Sequence, residues 1–171
     1  QALFDTLRDR QPSTRYVVTG FVARDGEGRA TTLGRNGSDY SGAIFGALAD
    51  AAEVHIWTDV DGVYSADPRA VPEAVLIPEL SYHEACELAY FGAKVIHPQT
   101  MAPAIERQIP IYIRNSFNPS HRGSRISAER SLGPPVKGVS AFGGLAILNV
   151  EGAGMIGVPG AGGFGAMENW G

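Results

Sequence analysis

The chain has 171 residues, 44% of them apolar, enough for one packed domain plus a fragment of a second. A net charge of −4 and a pI near 5.5 argue against nucleic acid as the main partner, and no apolar stretch is long enough to span a bilayer. One cysteine, Cys86, excludes an internal disulfide and any multi-cysteine metal site and suits a reducing cytoplasm.

The first residues, QALFDTLRDRQ, lack both an initiator methionine and a charged start followed by an apolar signal segment, and AMENWG stops soon after a candidate helix start. Both ends are therefore expected to be cuts in a longer protein. RYVVTGFVA reads as a strand rich in β-branched and aromatic residues. RDGEGRA follows as a turn, with Asp25-Gly26 as its tightest signal. Tyr40, Ile44, Ala47, Leu48 and Ala51 recur at helical spacing and predict one buried face, with Ser38 or Asp39 as the cap.

EVHIWTD is a short strand, and DGVYSADPRAVP a loop punctuated by Pro68 and Pro72. A second helix is expected from Tyr82, with Ala85, Cys86, Ala89 and Tyr90 on one face and a stop near Gly92. Pro98 suits the first turn of a third helix, which Pro103 is expected to bend or shorten. IPIYIRN returns as a strand and GSRI as a last short one. The alternation predicts an α/β layered domain with a mainly parallel sheet.

After ERSLGPP the pattern changes. VKGVSAFGGLAILNVEG reads as two strands joined at Gly143-Gly144 without a helix between them. A separate α+β module is expected over 136–171, with 133–135 as linker and 1–132 as the preceding domain. Within this module Gly152, Gly154 and Gly157 spell G-x-G-x-x-G, the text of a dinucleotide-binding turn. Such a turn should open a helix in a βαβ unit, with an acid about 20 residues further on. The hairpin pattern before it fits that poorly.

TTLGRNGSDYS is the densest candidate site, a β-type run ending in glycines and Arg35 before a helix. Such glycines let backbone N–H groups approach a ligand, the helix N-terminus favours anions, and an arginine forks onto a carboxylate or phosphate. An ordinary βα turn is the competing reading. IWTDVDGVYSADPR puts Thr58, Asp59 and Asp61 at a strand's C-terminal end, the usual ligand-facing edge. Asp59, Asp61 and Asp67 are either cation ligands or turn residues; they lack calcium-loop spacing. YFGAKVIHP sets Lys94 among small residues as a point charge for phosphate, with His97 more plausibly structural than a base.

Together TLGRNGSDYS, IWTDVDGVYSADPR, YFGAKVIHP and IPIYIRNSFNP resemble, in order over residues 16–126, the second half of aspartate kinase, of the amino-acid kinase family. The wording is closest to the bifunctional aspartate kinase–homoserine dehydrogenases. The resemblance implies the C-terminal half of a three-layer, carbamate kinase-like α/β fold, followed by the start of an ACT-type regulatory domain. It implies transfer of the ATP γ-phosphoryl group to the side-chain carboxylate of L-aspartate, with ATP and Mg²⁺ required. By the same resemblance Asp39 and Lys94 are catalytic, and Arg35, Gly37 and Ser38 bind aspartate. Thr58, Asp59, Tyr64, Arg69, Lys94 and Val95 contact the nucleotide, and no residue is assigned as a metal ligand.

The same likeness implies a homo-oligomer, a threonine effector at the ACT region, and a regulatory loop at the G-x-G-x-x-G. The family's N-terminal lysine–glycine segment is absent from the sequence, so these residues alone are expected to be inactive, with apolar surface exposed. Four glycines between Gly160 and Gly165 would make the family's next helix marginal. A non-catalytic sensing module and a related kinase acting on another amino acid are the competing functions.

Overall fold

In the computed structural model the described residues are 14–90, 97–129 and 133–141. Strands β1 (Val22–Arg24) and β2 (Ala30–Thr32) pair antiparallel as a separate hairpin. The Asp25 carboxylate closes its turn by accepting the Glu27 and Arg29 backbone N–H groups and the Arg29 guanidinium. β1 is shorter than RYVVTGFVA suggested, because residues 16–20 carry no regular structure and Tyr16, Val17 and Val18 are exposed. A strand needs a partner for its β-branched side chains, and no described strand pairs with this run.

Helix α1 (Gly37–Leu48) buries a different face from the expected one. Gly37, Ser41, Ala43 and Gly46 are buried, while Tyr40, Ile44 and Ala47 are half-buried and Leu48 is exposed. The helix lies so close to the sheet that a Cβ on Gly46 would come within 2.5 Å of Val54 Cγ2. A seam of small residues therefore faces inward, and the bulky ones flank it. Neither Ser38 nor Asp39 caps the helix; Asn36 holds the N-cap position in left-handed backbone, φ 58°, without a side-chain capping bond.

The main sheet contains β3 (Val54–Thr58), β4 (Glu79–Ser81), β5 (Ile111–Asn115) and β6 (Ser124–Ser127), in the order β3-β5-β6-β4. β3 pairs parallel with β5 and β4 with β6, but β5 and β6 are antiparallel, so the sheet is mixed. The short 116–123 connection compels that, since a parallel pair needs a long crossover. β4 is three residues long, too short to show an alternation. Between the strands run α2 (Tyr82–Tyr90) and α3 (Pro98–Glu106), the latter continuing past Pro103.

α2 starts on a reciprocal cap. The Ser81 hydroxyl accepts the Glu84 N–H, and the Glu84 carboxylate accepts the Ser81 N–H at 2.7 Å. Alternate residues Val54 and Ile56, Ile111 and Ile113, with Leu80 and Ile126, form one sheet face against Ala43, Ala85, Met101 and Ala104 of the helices. Cys86 and Ala89 pack on its margin. The other face carries His55 stacked on Tyr112 at 4.9 Å and Arg114 over the Trp57 ring at 5.0 Å. Among the described residues, helices thus cover one face, two layers of the three expected.

Residues 133–141 have no regular structure but contact Ser65, Glu84 and Leu88. Lys137 Nζ lies 2.6 Å from Glu84 Oε1, Val139 N–H donates to Ser65 O at 2.7 Å, and Ser140 Oγ donates to Leu88 O. The expected stop near Gly92, the turn at Gly143-Gly144, the glycines Gly152, Gly154 and Gly157 and the 160–165 segment lie outside the described residues.

Candidate active site at the C-terminal edge of the sheet

The turn before α1 is held from two sides. Gly34 and Asn36 both have positive φ, and Gly37 N–H donates to Gly34 O at 3.0 Å. A Cβ on Gly37 would approach Leu33 Cβ to 2.9 Å and the Phe21 ring to 3.0 Å, so glycine is needed where the turn crosses the hairpin. Ser41 Oγ accepts the Phe21 N–H and donates to Gly37 O, both at 2.8 Å. This leaves Arg35 and Ser38 exposed and Asp39 half-buried in the first turn of α1. Burial pushes the Asp39 carboxyl above the usual carboxylate range.

Gly46 rests on Val54, and a short connection joins α1 to β3, so the two run in opposite directions. The helix rises about 1.5 Å per residue and the strand about 3.3 Å, so both cover roughly 13 Å back to a common end. The 34–39 turn and the C-terminus of β3 thereby share one edge of the sheet. Thr58 ends β3 in register with Asn115, which ends β5. The Thr58 hydroxyl donates to Asp59 Oδ1 at 3.1 Å, and Thr58 O accepts the Ser116 N–H.

From this edge residues 59–78 fold back as an arm. Ile77 N–H donates to Val63 O and Ser65 N–H to Val75 O, both at 2.8 Å, and Tyr64 bridges to Leu76. The fully buried Ser124 joins both ends of the arm, since its Oγ accepts the Val63 N–H at 2.9 Å and donates to Ile77 O at 2.6 Å. Tyr64 is half-buried in the arm and Arg69 exposed at its tip, where Asp67 Oδ1 accepts the Arg69 N–H. Asp61 Oδ1 accepts from Asn115 and Asn118. The three acids thus accept from separate partners, Asp59 and Asp67 locally and Asp61 from two distant asparagines, and no cluster of three or more potential metal ligands occurs among the described residues.

The geometry brings Arg35, Gly37, Ser38 and Asp39 to the same sheet edge as Thr58, Asp59 and the arm bearing Tyr64 and Arg69. Lys94 and Val95 lie outside the described residues. His97 is exposed at the N-cap of α3, where its carbonyl, and not its ring, receives the Thr100 bonds. Sequence reasoning gave no role to Asn115, Asn118 or Ser124. NSFNP stood inside a quoted motif, but a contact 54 residues away leaves no periodic trace.

A glycine turn bearing an exposed arginine, an acid in a helix's first turn and a hydrogen-bonded arm are thus set on an α/β sheet. The amino acid kinase family model matches residues 3–115, and the chain belongs to that family. The chain is 53% identical over 155 residues to the chloroplastic bifunctional aspartokinase/homoserine dehydrogenase 2 of Arabidopsis thaliana, covering 87% of this chain and 17% of the relative. It is 51% identical over 145 residues to the bifunctional aspartokinase/homoserine dehydrogenase of Haemophilus influenzae, covering 84% of this chain and 18% of the relative. Aspartokinase III of E. coli, solved in complex with aspartate and ADP, superimposes with a TM-score of 0.62 at 44% identity, over 66% of this chain and 25% of that one. The chain therefore spans under a fifth of the curated relatives it matches. Among the described residues no helix is long and apolar enough to cross a membrane.

Proposed function

We propose that this chain supplies the C-terminal part of an aspartate kinase catalytic domain over 1–132, a linker over 133–135 and the start of an ACT-type regulatory domain over 136–171. The observation that carries the reading is the shared sheet edge. It offers an arginine and an exposed hydroxyl at a glycine turn on one side, and a strand end with a polar arm on the other. The likeness to an aspartokinase solved with aspartate and ADP supports giving the first to aspartate and the second to ATP.

In the proposed reaction a side-chain carboxylate oxygen of L-aspartate attacks the γ-phosphorus of ATP. The bond from that phosphorus to the β–γ bridging oxygen breaks, giving 4-phospho-L-aspartate and ADP. A carboxylate with a reference pKa of about 4 is already ionised at neutral pH, so no general base is required. The site's work is positioning and charge neutralisation. Arg35 forks onto an aspartate carboxylate, and Ser38 and the Gly37 backbone complete that pocket. Thr58, Asp59, Tyr64, Arg69, Lys94 and Val95 hold the nucleotide.

Asp39, half-desolvated and raised in pKa by that burial, is a place where a cation is welcome. Its proposed role is to orient lysines, Lys94 among them, around the transferring phosphoryl group. Mg²⁺ would neutralise phosphate charge. No residue of this chain is assigned to it, since the cation in phosphoryl transfer is often held largely by nucleotide and water. A homo-oligomer, threonine as effector at the ACT region and a cytoplasmic location complete the proposal; the Arabidopsis relative is chloroplastic, a compartment equally compatible with one free thiol.

The test is ATP-dependent formation of an acyl phosphate by the complete protein, trapped with hydroxylamine. L-Aspartate as the accepted substrate, with L-glutamate and N-acetylglutamate rejected, is the expected result. Turnover of another amino acid would assign a related kinase, and threonine binding without turnover would assign a sensing module.

A further inference from the structure

We infer that Asp61 is a positioning residue for the nucleotide, acting through a carboxylate–asparagine clamp that sets the 59–78 arm on the ends of β3 and β5. This rests on the proposed reading in which that arm carries the nucleotide contacts. Asp61 Oδ1 accepts from Asn115 Nδ2 at 2.9 Å and from Asn118 Nδ2 at 3.1 Å. Hydrogen bonds to a charged acceptor are roughly twice as strong as neutral ones. One carboxylate therefore ties the start of the arm to the last residue of β5 and to the connection beyond it.

Both amides are oriented by further bonds. Asn115 Oδ1 accepts the Phe117 N–H at 2.8 Å, which turns its Nδ2 toward Asp61. Asn118 N–H donates to Asn115 O at 3.2 Å, and Asn118 Oδ1 accepts from Ser120 Oγ at 3.3 Å. The next residue, Gly62, has φ 153°, and a Cβ there would come within 2.5 Å of Ser124 Oγ. Val63 N–H donates to that same oxygen. The backbone of 61–63 is thus pinned from the β5–β6 side, between Thr58 and Asp59 before it and Tyr64 after it.

Two other roles for Asp61 are open to any acid in this loop: a cation ligand, or a turn residue. The clamp predicts something a cation ligand does not, which is that a neutral amide oxygen can stand in for the carboxylate oxygen, since both bonds end on Oδ1. In the complete kinase, Asp61→Ala, which removes the acceptor of both bonds, should raise the KM for ATP about tenfold, and Asp61→Asn, whose amide oxygen can still accept them, by no more than about threefold. The KM for aspartate should stay within about twofold, since Arg35 and Ser38 lie on the other element.

Asn118→Asp sets two carboxylates against each other and should also raise the KM for ATP. An unchanged KM for ATP in Asp61→Ala overturns the clamp. So does a rise in Asp61→Asn as large as that in Asp61→Ala, because the charge itself would then be meeting the nucleotide or its cation. Should Asp61→Ala not fold, Asn118→Ala removes one donor and should raise the KM for ATP about threefold; no change would again overturn it. A parent enzyme that never uses ATP defeats the nucleotide reading itself, before any variant is compared.

Discussion

Replacing Ser124 by alanine should loosen the arm while sparing the sheet. Ser124 is fully buried and makes two bonds through one oxygen, one from Val63 N–H and one to Ile77 O. A typical intramolecular hydrogen bond contributes about 1 kcal/mol net, and groups left unsatisfied in the interior raise the cost, so Ser124→Ala should cost about 2–3 kcal/mol. That energy falls on the arm's closure, because the bonded groups are its two ends. Hydrogen exchange reads such local openings. The amides of Ser65 and Ile77, which cross-link the arm, should exchange roughly 30- to 140-fold faster, at about 1.4 kcal/mol per tenfold. The amides between β3 and β5 provide the internal reference. Protection of Ser65 and Ile77 unchanged to within about twofold would refute the claim that Ser124 closes the arm.

Asp39→Asn should abolish turnover in the complete enzyme yet raise thermal stability at neutral pH. Its folded pKa is raised, so the native state holds the proton more tightly than the unfolded chain does, and stability falls as pH rises through that folded value. The gain from the amide should vanish below the unfolded value near 3.8, and a lower melting temperature at pH 7 would contradict it. Lys137→Ala should free the 137–140 segment, with exchange at Val139 about two- to fivefold faster. Burial raises the Glu84 carboxyl, but hydrogen bonds from Lys137 and Ser81 outweigh it and leave it low. The contribution of Glu84 is therefore full above its unfolded pKa near 4.5 and lost as pH falls through the lower folded value. Equal exchange at Val139 at pH 7 in parent and variant would count against the contact.

Elements with local signals were legible in the sequence. EVHIWTD and IPIYIRN were readable as the strands β3 and β5, α3 was marked by Pro98 at its start, and the 25–29 turn by its Asp-Gly. The parts that failed depend on what the chain meets in space. α1 buries glycines and alanine because Gly46 must approach Val54, so the bulky residues at helical spacing marked its flanks instead of its seam. RYVVTGFVA has strand propensity over its length, yet only its last two residues, Val22 and Ala23, enter β1. Ser81 and Glu84 do spell a capping box, a local signal that went unread beside the stronger Tyr82 periodicity. At the site, the glycine turn and the Thr58–Asp59 strand end could be read from motif order. The Ser124 staple and the Asp61 clamp could not, since each joins residues more than 45 positions apart.

In the proposed site the turn before α1 recognises aspartate while the strand end and arm recognise ATP. Arg35→Ala in the complete enzyme tests it most directly, with steady-state kinetics for aspartate and calorimetry for ATP on the same preparation. Aspartate use should fall about a hundredfold or more, as expected when a bidentate arginine–carboxylate contact is removed, with ATP affinity unchanged. Aspartate kinetics equal to the parent's, or ATP affinity falling in step with aspartate use, would contradict it.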